Sequence, residues 1–202
     1  GRTLTPKAGI LGMTIRSFVR SHSRPLVFVP VYIGYERVIE GQTYVSELAG
    51  RPKQRESLWQ LVKSVRSIRR VFGKVHVNFG EPLPLAGFLD SYRPDWRASP
   101  ADGEWLRATT REAAGELATR INEAAVINPV SLVALGLLAT PEYTADEYGL
   151  RRMIAHYQAL DAAAPYSPQR IACALDPVQV IAHAARLGIV EEIPHPFGNL
   201  VR

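Results

Sequence analysis

The sequence is poor in the residues that staple a fold or bind a metal. Of its 202 residues one is cysteine, Cys173, so no disulfide can close within the chain and cysteines alone cannot build a zinc site. A reducing compartment is the expectation, and the plain role for the thiol is that of a small apolar side chain in a core. The opening Gly1-Arg2-Thr3-Leu4-Thr5-Pro6-Lys7 has neither an initiator methionine nor the basic-then-apolar pattern of a secretory signal, and the chain is expected to continue upstream. Long apolar runs are also lacking. The longest uncharged window, residues 124–141, approaches the roughly 17-residue minimum for a membrane span, but Asn128, Pro129, Ser131 and Gly136 interrupt it. It reads as a pair of buried helices. No internal repeat or low-complexity tract is present.

What is present suffices for a folded core: 47% of the residues are hydrophobic. The net charge of +5 is unevenly distributed. Residues 1–80 carry fourteen Lys or Arg against four acids, and residues 81–202 carry ten against fifteen. A basic front half suits an anionic partner, such as a phosphorylated metabolite, an acyl-carrier substrate, a lipid headgroup or nucleic acid. Charge alone does not choose among these.

Periodicity predicts an α/β front followed by a mainly helical tail. Ile10 to Arg20 has helical spacing, with Arg16 and Arg20 on one face. Leu26 to Ile33 is a near-continuous apolar and β-branched run, which predicts a strand buried on both faces as in a parallel sheet. Pro30 interrupts it and marks a strand end, a bulge or the edge of a site. Leu58, Leu61, Val62, Val65, Ile68 and Phe72 predict an amphipathic helix over residues 56–72, whose other faces carry Lys63, Arg66, Arg69 and Arg70. Gly73 closes that helix, and residues 74–80 alternate as a strand that Glu81-Pro82-Leu83-Pro84 ends. Residues 91–102 form a polar linker. Helices are predicted over 104–126 and 130–139, then from a Thr144/Glu147 capping box to about Ala163, then from Asp176-Pro177 with Gln179 to Gly188. Residues 189–193 make a last strand, and Leu200 could open its partner. The domain expectation is thus 1–90, a linker 91–102, a helical region 103–165, and a helix-strand region 166–202.

Several segments, in order, resemble the bacterial membrane-associated glycerol-3-phosphate acyltransferases. Val29-Pro30-Val31-Tyr32-Ile33-Gly34-Tyr35-Glu36 is similar to that family's fourth conserved block. Gly1 to Gly9 resembles the tail after its third block, and Val77 to Leu85, Pro94-Asp95-Trp96-Arg97 and Asn128 to Leu135 resemble later segments. The resemblance runs from Gly1 to about Gly188. It implies a partial acyltransferase-type sheet with flanking helices, followed by the family's mainly α-helical C-terminal region. It also implies transfer of an acyl group from acyl-CoA or acyl-carrier protein to the sn-1 hydroxyl of glycerol 3-phosphate. The product would be lysophosphatidic acid for phospholipid synthesis, made at the cytoplasmic face of the inner membrane by a peripheral protein. The family's catalytic H-x4-D block, in which the His takes the hydroxyl proton, is expected upstream of Gly1. This chain alone is therefore expected to be inactive, with the missing N-terminal part as a partner and no cofactor, metal or nucleic acid.

The candidate substrate-binding residues are Pro30, Tyr32, Tyr35 and Glu36 in the fourth block, where hydroxyl and carboxylate groups can hydrogen-bond glycerol phosphate or the acyl donor. Arg2 and Lys7 follow the expected phosphate-binding block and suit phosphate or a solvated surface equally. Arg16 and Arg20 are further phosphate candidates. Lys63, Arg66, Arg69 and Arg70 are candidate contacts to anionic lipid headgroups. Two pairs mimic the catalytic spacing. His156 and Asp161 fall within one predicted helix, where five residues turn the side chains apart, and His76 with Glu81 has the wrong acid and sits in a strand. The competing reading is a basic module that binds membrane or nucleic acid without catalysis.

Overall fold

A computed structural model describes residues 8–21, 24–37, 73–98 and 103–202. The predicted basic helix over 56–72, with Lys63, Arg66, Arg69 and Arg70, lies outside the described residues, as do Arg2 and Lys7. Contacts divide the chain into two compact units. The first comprises 1–32, 77–125 and 166–171, and the second comprises 33–76, 126–165 and 172–202.

The first unit is built on α1 (Gly9–Ser21), the two-residue strand β1 (Val27–Phe28), and β4 (Leu83–Pro84), which pairs antiparallel to β1. α2 (Leu85–Tyr92) and the long α3 (Gly103–Glu123) complete it. Ile15, Phe18 and Val19 of α1 meet Leu85 and Leu89 of α2 and Leu106 and Ala113 of α3 in one buried cluster. Trp96 joins them from the turn after α2, 2% exposed, stacked on Phe18 at 5.5 Å and donating its indole N–H to Asp90 Oδ1 at 2.8 Å. The stretch read as a polar linker thus carries a core anchor, because one indole outweighs the polar residues around it.

The expected strand over 26–33 is in fact two. β1 ends at Phe28, Val29 and Pro30 carry no strand pairing, and β2 (Val31–Tyr35) resumes against β3 (Val75–Phe79). Backbone bonds from Glu36 N to Lys74 O and from Gly80 N to Pro30 O show that β2 and β3 run antiparallel. The parallel, doubly buried expectation fails on this point: Val27, Val29 and Ile33 are exposed. An apolar run marks surface that must be covered, without specifying which polypeptide covers it. The break at Pro30 is where the missing N–H requires it.

The second unit contains α4 (Pro129–Leu138), β5 (Ala145–Asp146), α5 (Glu147–Ala163), α6 (Pro177–Arg186), β6 (Glu192–Ile193) and β7 (Leu200–Val201). Its strand order is β5-β7-β6, all antiparallel. Leu132, Val133 and Leu137 of α4, Leu150 and Ile154 of α5, and Val180, Ile181 and Ala184 of α6 form its core with Val201. Cys173 packs at the margin of that core as a free thiol. Asn128 caps α4 by accepting from Ser131 N, and Pro129 at the first turn costs no hydrogen bond. Asp176 and Gln179 form the expected capping box on α6. The cap of α5 differs from expectation. Asp146 accepts from Gly149 N, while the Thr144 hydroxyl turns to Glu142 O. Among the described residues no helix is long and apolar enough to cross a membrane.

Candidate functional site

Pro30 and Tyr32 belong to the first unit, and Tyr35 and Glu36 to the second. Pro30 is buried, and its carbonyl accepts from Gly80 N at 2.9 Å. Gly80 is obligatory there. A Cβ on it would stand 2.7 Å from Arg120 O and 3.3 Å from Pro30 Cβ. Arg120, whose guanidinium donates to Glu81 O and Pro82 O while its Nε pairs with Glu116, locks the segment that follows. Asn78 adds two bonds, donating to Ala124 O and Gln169 O. The proline block is therefore backed by a rigid set of backbone contacts. Tyr32 is half-buried at the end of this wall.

In the second unit, Tyr35 is exposed and Glu36 turns inward, 4% exposed. Both Glu36 oxygens are taken up by the protein. Oε2 accepts from Lys74 N at 2.7 Å and bonds His183 Nε2 at 2.9 Å, and Oε1 lies 3.3 Å from His76 Nε2. An Arg186 guanidinium N–H donates to His183 Nδ1 at 2.9 Å. Because a guanidinium only donates, Nδ1 accepts and the imidazole presents Nε2–H to Glu36. Arg37 donates to Leu187 O at 2.5 Å beside this cluster. Gly73, at φ +60°, makes room for the carboxylate: a Cβ on it would lie 2.7 Å from Glu36 Oε2. Burial by itself would raise the Glu36 carboxyl's pKa. The bonds from Lys74 N, His183 and His76 outweigh it and hold the pKa below the ordinary value of 4.5.

Of the residues singled out from sequence, the structure thus brings Glu36 together with His76, formerly only a decoy. It adds His183 and Arg186, which sequence reasoning missed. A usable signal existed: His183 falls on the same helical stripe as Val180, Ile181 and Ala184, an odd place for a free imidazole. His156 lies in α5 beside the Tyr157 ring, as its helical placement implied. Although Glu36, His76 and His183 meet, among the described residues no group of three His, Cys, Asp or Glu side chains is placed to hold a metal ion.

The fold is that of a mixed α/β chain with small antiparallel sheets and prominent helices. Comparison with known proteins supplies the class. The family described as "Glycerol-3-phosphate acyltransferase C-terminal region" matches residues 44–202, and the chain belongs to that family. Proteins named glycerol-3-phosphate acyltransferase from Ectopseudomonas mendocina and Pseudomonas putida are each 45% identical across the whole chain. One from Pseudomonas fluorescens strain SBW25 is 44% identical. The chain spans about a quarter of the length of these relatives.

Proposed function

We propose that the chain is the middle-to-late part of a glycerol-3-phosphate 1-O-acyltransferase. The whole enzyme takes a fatty acyl group from acyl-CoA or acyl-carrier protein and gives lysophosphatidic acid. The sn-1 hydroxyl oxygen bonds to the thioester carbonyl carbon, the carbon–sulfur bond breaks, and the hydroxyl proton passes through a histidine to the departing thiolate. That histidine and its aspartate are supplied by polypeptide outside this chain. The observation that carries the reading is the match along the full chain to acyltransferases about four times as long. On β3, Val75, Val77 and Phe79, alternate residues on one side of the strand, are all exposed. Apolar side chains left open at period two suit a strand that packs against further polypeptide.

In this reading Pro30, Tyr32 and Tyr35 wall the substrate site, and Glu36 acts as a positioning residue through its hold on the strand end. Arg2 and Lys7 approach the substrate phosphate. Lys63, Arg66, Arg69 and Arg70 rest on anionic headgroups at the cytoplasmic face of the inner membrane, each cation contributing on the order of 1 kcal/mol. The test is Pro30→Ala in the full-length enzyme, followed by lysophosphatidate formation and by thermal unfolding. Turnover is expected to fall by about tenfold or more, as misplacement of a site wall does, with only a small change in melting temperature. Equal losses in both would make the proline purely structural and remove the wall from the reading.

A further inference from the structure

Between α1 and α3, wholly within the first unit, lies a groove of about 680 Å³. That is within the roughly 300–1,000 Å³ of ordinary small-molecule sites. Its shape follows from residue size at helical spacing. On α3, Leu106, Thr110 and Ala114 follow one another at intervals of four and form a buried floor. The adjacent row, Arg107, Arg111 and Gly115, forms a rim. Across from it α1 presents Gly12, where a Cβ would stand 3.3 Å from Thr110 Oγ1, with Met13 and Arg16 at its edge.

Three features of this groove are unexplained by folding. Arg16, Arg107 and Arg111 converge on it, none pairs with a carboxylate among the described residues, and the described lining contains no acid. Two arginines four apart on one helix repel each other, a cost that an anion would remove. The Thr110 hydroxyl, on a residue 5% exposed, has no hydrogen-bond partner. Buried polar groups are normally satisfied; this oxygen is closed off against Gly12 of α1, so recognition of an anion falls to the arginines. Finally Met13, a flexible apolar side chain suited to adaptable contacts, is exposed at the rim.

An apolar floor under an unneutralised arginine rim fits a ligand that is apolar along its length and anionic at one end. We propose that this groove binds the acyl donor, a fatty acyl thioester on a phosphate-bearing carrier, with the chain on the floor and a phosphate against Arg16, Arg107 and Arg111. Glycerol 3-phosphate does not fit, since it would leave the floor bare. Single-stranded nucleic acid lacks the aromatic stacking platform it needs there. The identity of the ligand as donor rests on the acyltransferase reading, whereas the preference for an anionic amphiphile rests on the groove alone.

The test uses the 202-residue chain and palmitoyl-CoA at submicellar concentration, with coenzyme A, palmitate and palmitoyl lysophosphatidate as comparison probes. Palmitoyl-CoA is expected to bind saturably and at least about tenfold more tightly than either coenzyme A or palmitate, because each lacks one half of the recognition. Arg107→Gln and Arg111→Gln should each weaken it by about tenfold, the loss of one charge-assisted hydrogen bond. Gly115→Leu should abolish it by filling the groove. A Cβ at Gly115 meets nothing within 4 Å, so the substitution starts without a clash, and an unchanged far-UV circular dichroism spectrum checks that the variant folds. Absent binding, binding indifferent to these variants, or a preference for lysophosphatidate would each overturn the proposal. In the full-length enzyme the arginine variants should raise KM for the acyl donor and leave KM for glycerol 3-phosphate unchanged. Unmoved donor KM in an active enzyme rejects the groove while sparing the acyltransferase reading; tight binding without any transferase activity does the reverse.

Discussion

Trp96→Ala is expected to destabilise the first unit by about 3–5 kcal/mol, the range for removing a large buried aromatic. The indole is the largest fully buried side chain described, and it holds together groups that sequence alone keeps apart. It stacks on Phe18 of α1, bonds Asp90 of α2, and lies under the Arg97 guanidinium at 4.3 Å. Arg97 also donates to Asp90 Oδ1 at 2.6 Å, so one carboxylate orients both the ring and the cation over it. Urea unfolding followed by far-UV circular dichroism measures the loss. Trp96→Phe should recover most of it, since ring volume is largely kept and only the Asp90 bond goes. A loss under 1 kcal/mol in Trp96→Ala would contradict its place in the core.

Glu36→Ala should cost the second unit a similar amount, about 3–5 kcal/mol, because it strands His183, His76 and the Lys74 N–H at a buried point. The pH dependence follows from the depressed carboxyl. A carboxylate whose folded pKa lies below its unfolded value contributes stability that is fully present above the unfolded value of about 4.5. That contribution is lost as pH falls through the lower folded value. The stability gap between the native chain and Glu36→Gln should therefore be constant above about pH 5.5 and close in strong acid. Urea midpoints measured from pH 7 downward check this, and a gap that widens toward acid would show that the Glu36 bonds do not favour the ionised form.

Local structure was legible where local chemistry determines it. The starts of α4 and α6 follow from Asn128-Pro129 and Asp176-Pro177 with Gln179, and the strand break follows from Pro30, because caps and missing donors act within a few residues. The cap of α5 falls on Asp146 and not on the expected Thr144. Two good capping residues stand close together, and β5, which pairs with β7 through Ala145 and Asp146, decides between them. Pairing between distant segments was not legible. The antiparallel course of β2 and β3 and the central place of β7 depend on which segments meet, and periodicity carries no such information. The candidate site divides in the same way. Tyr32, Tyr35 and Pro30 are conspicuous in their block, but the partner that occupies Glu36 is 147 residues further along the chain. The groove on α1 and α3 was hidden because small residues spaced by four announce close packing as readily as a cavity.

The central claim is that this chain supplies a wall of an acyltransferase whose proton acceptor lies elsewhere in a longer protein. The direct measurement is formation of lysophosphatidate from labelled glycerol 3-phosphate and palmitoyl-CoA. It is made first with the purified chain alone and then with the remaining portion of the enzyme added as a separate polypeptide. The account predicts no turnover in the first case and measurable turnover in the second. Turnover by the chain alone that survives His156→Ala would contradict it.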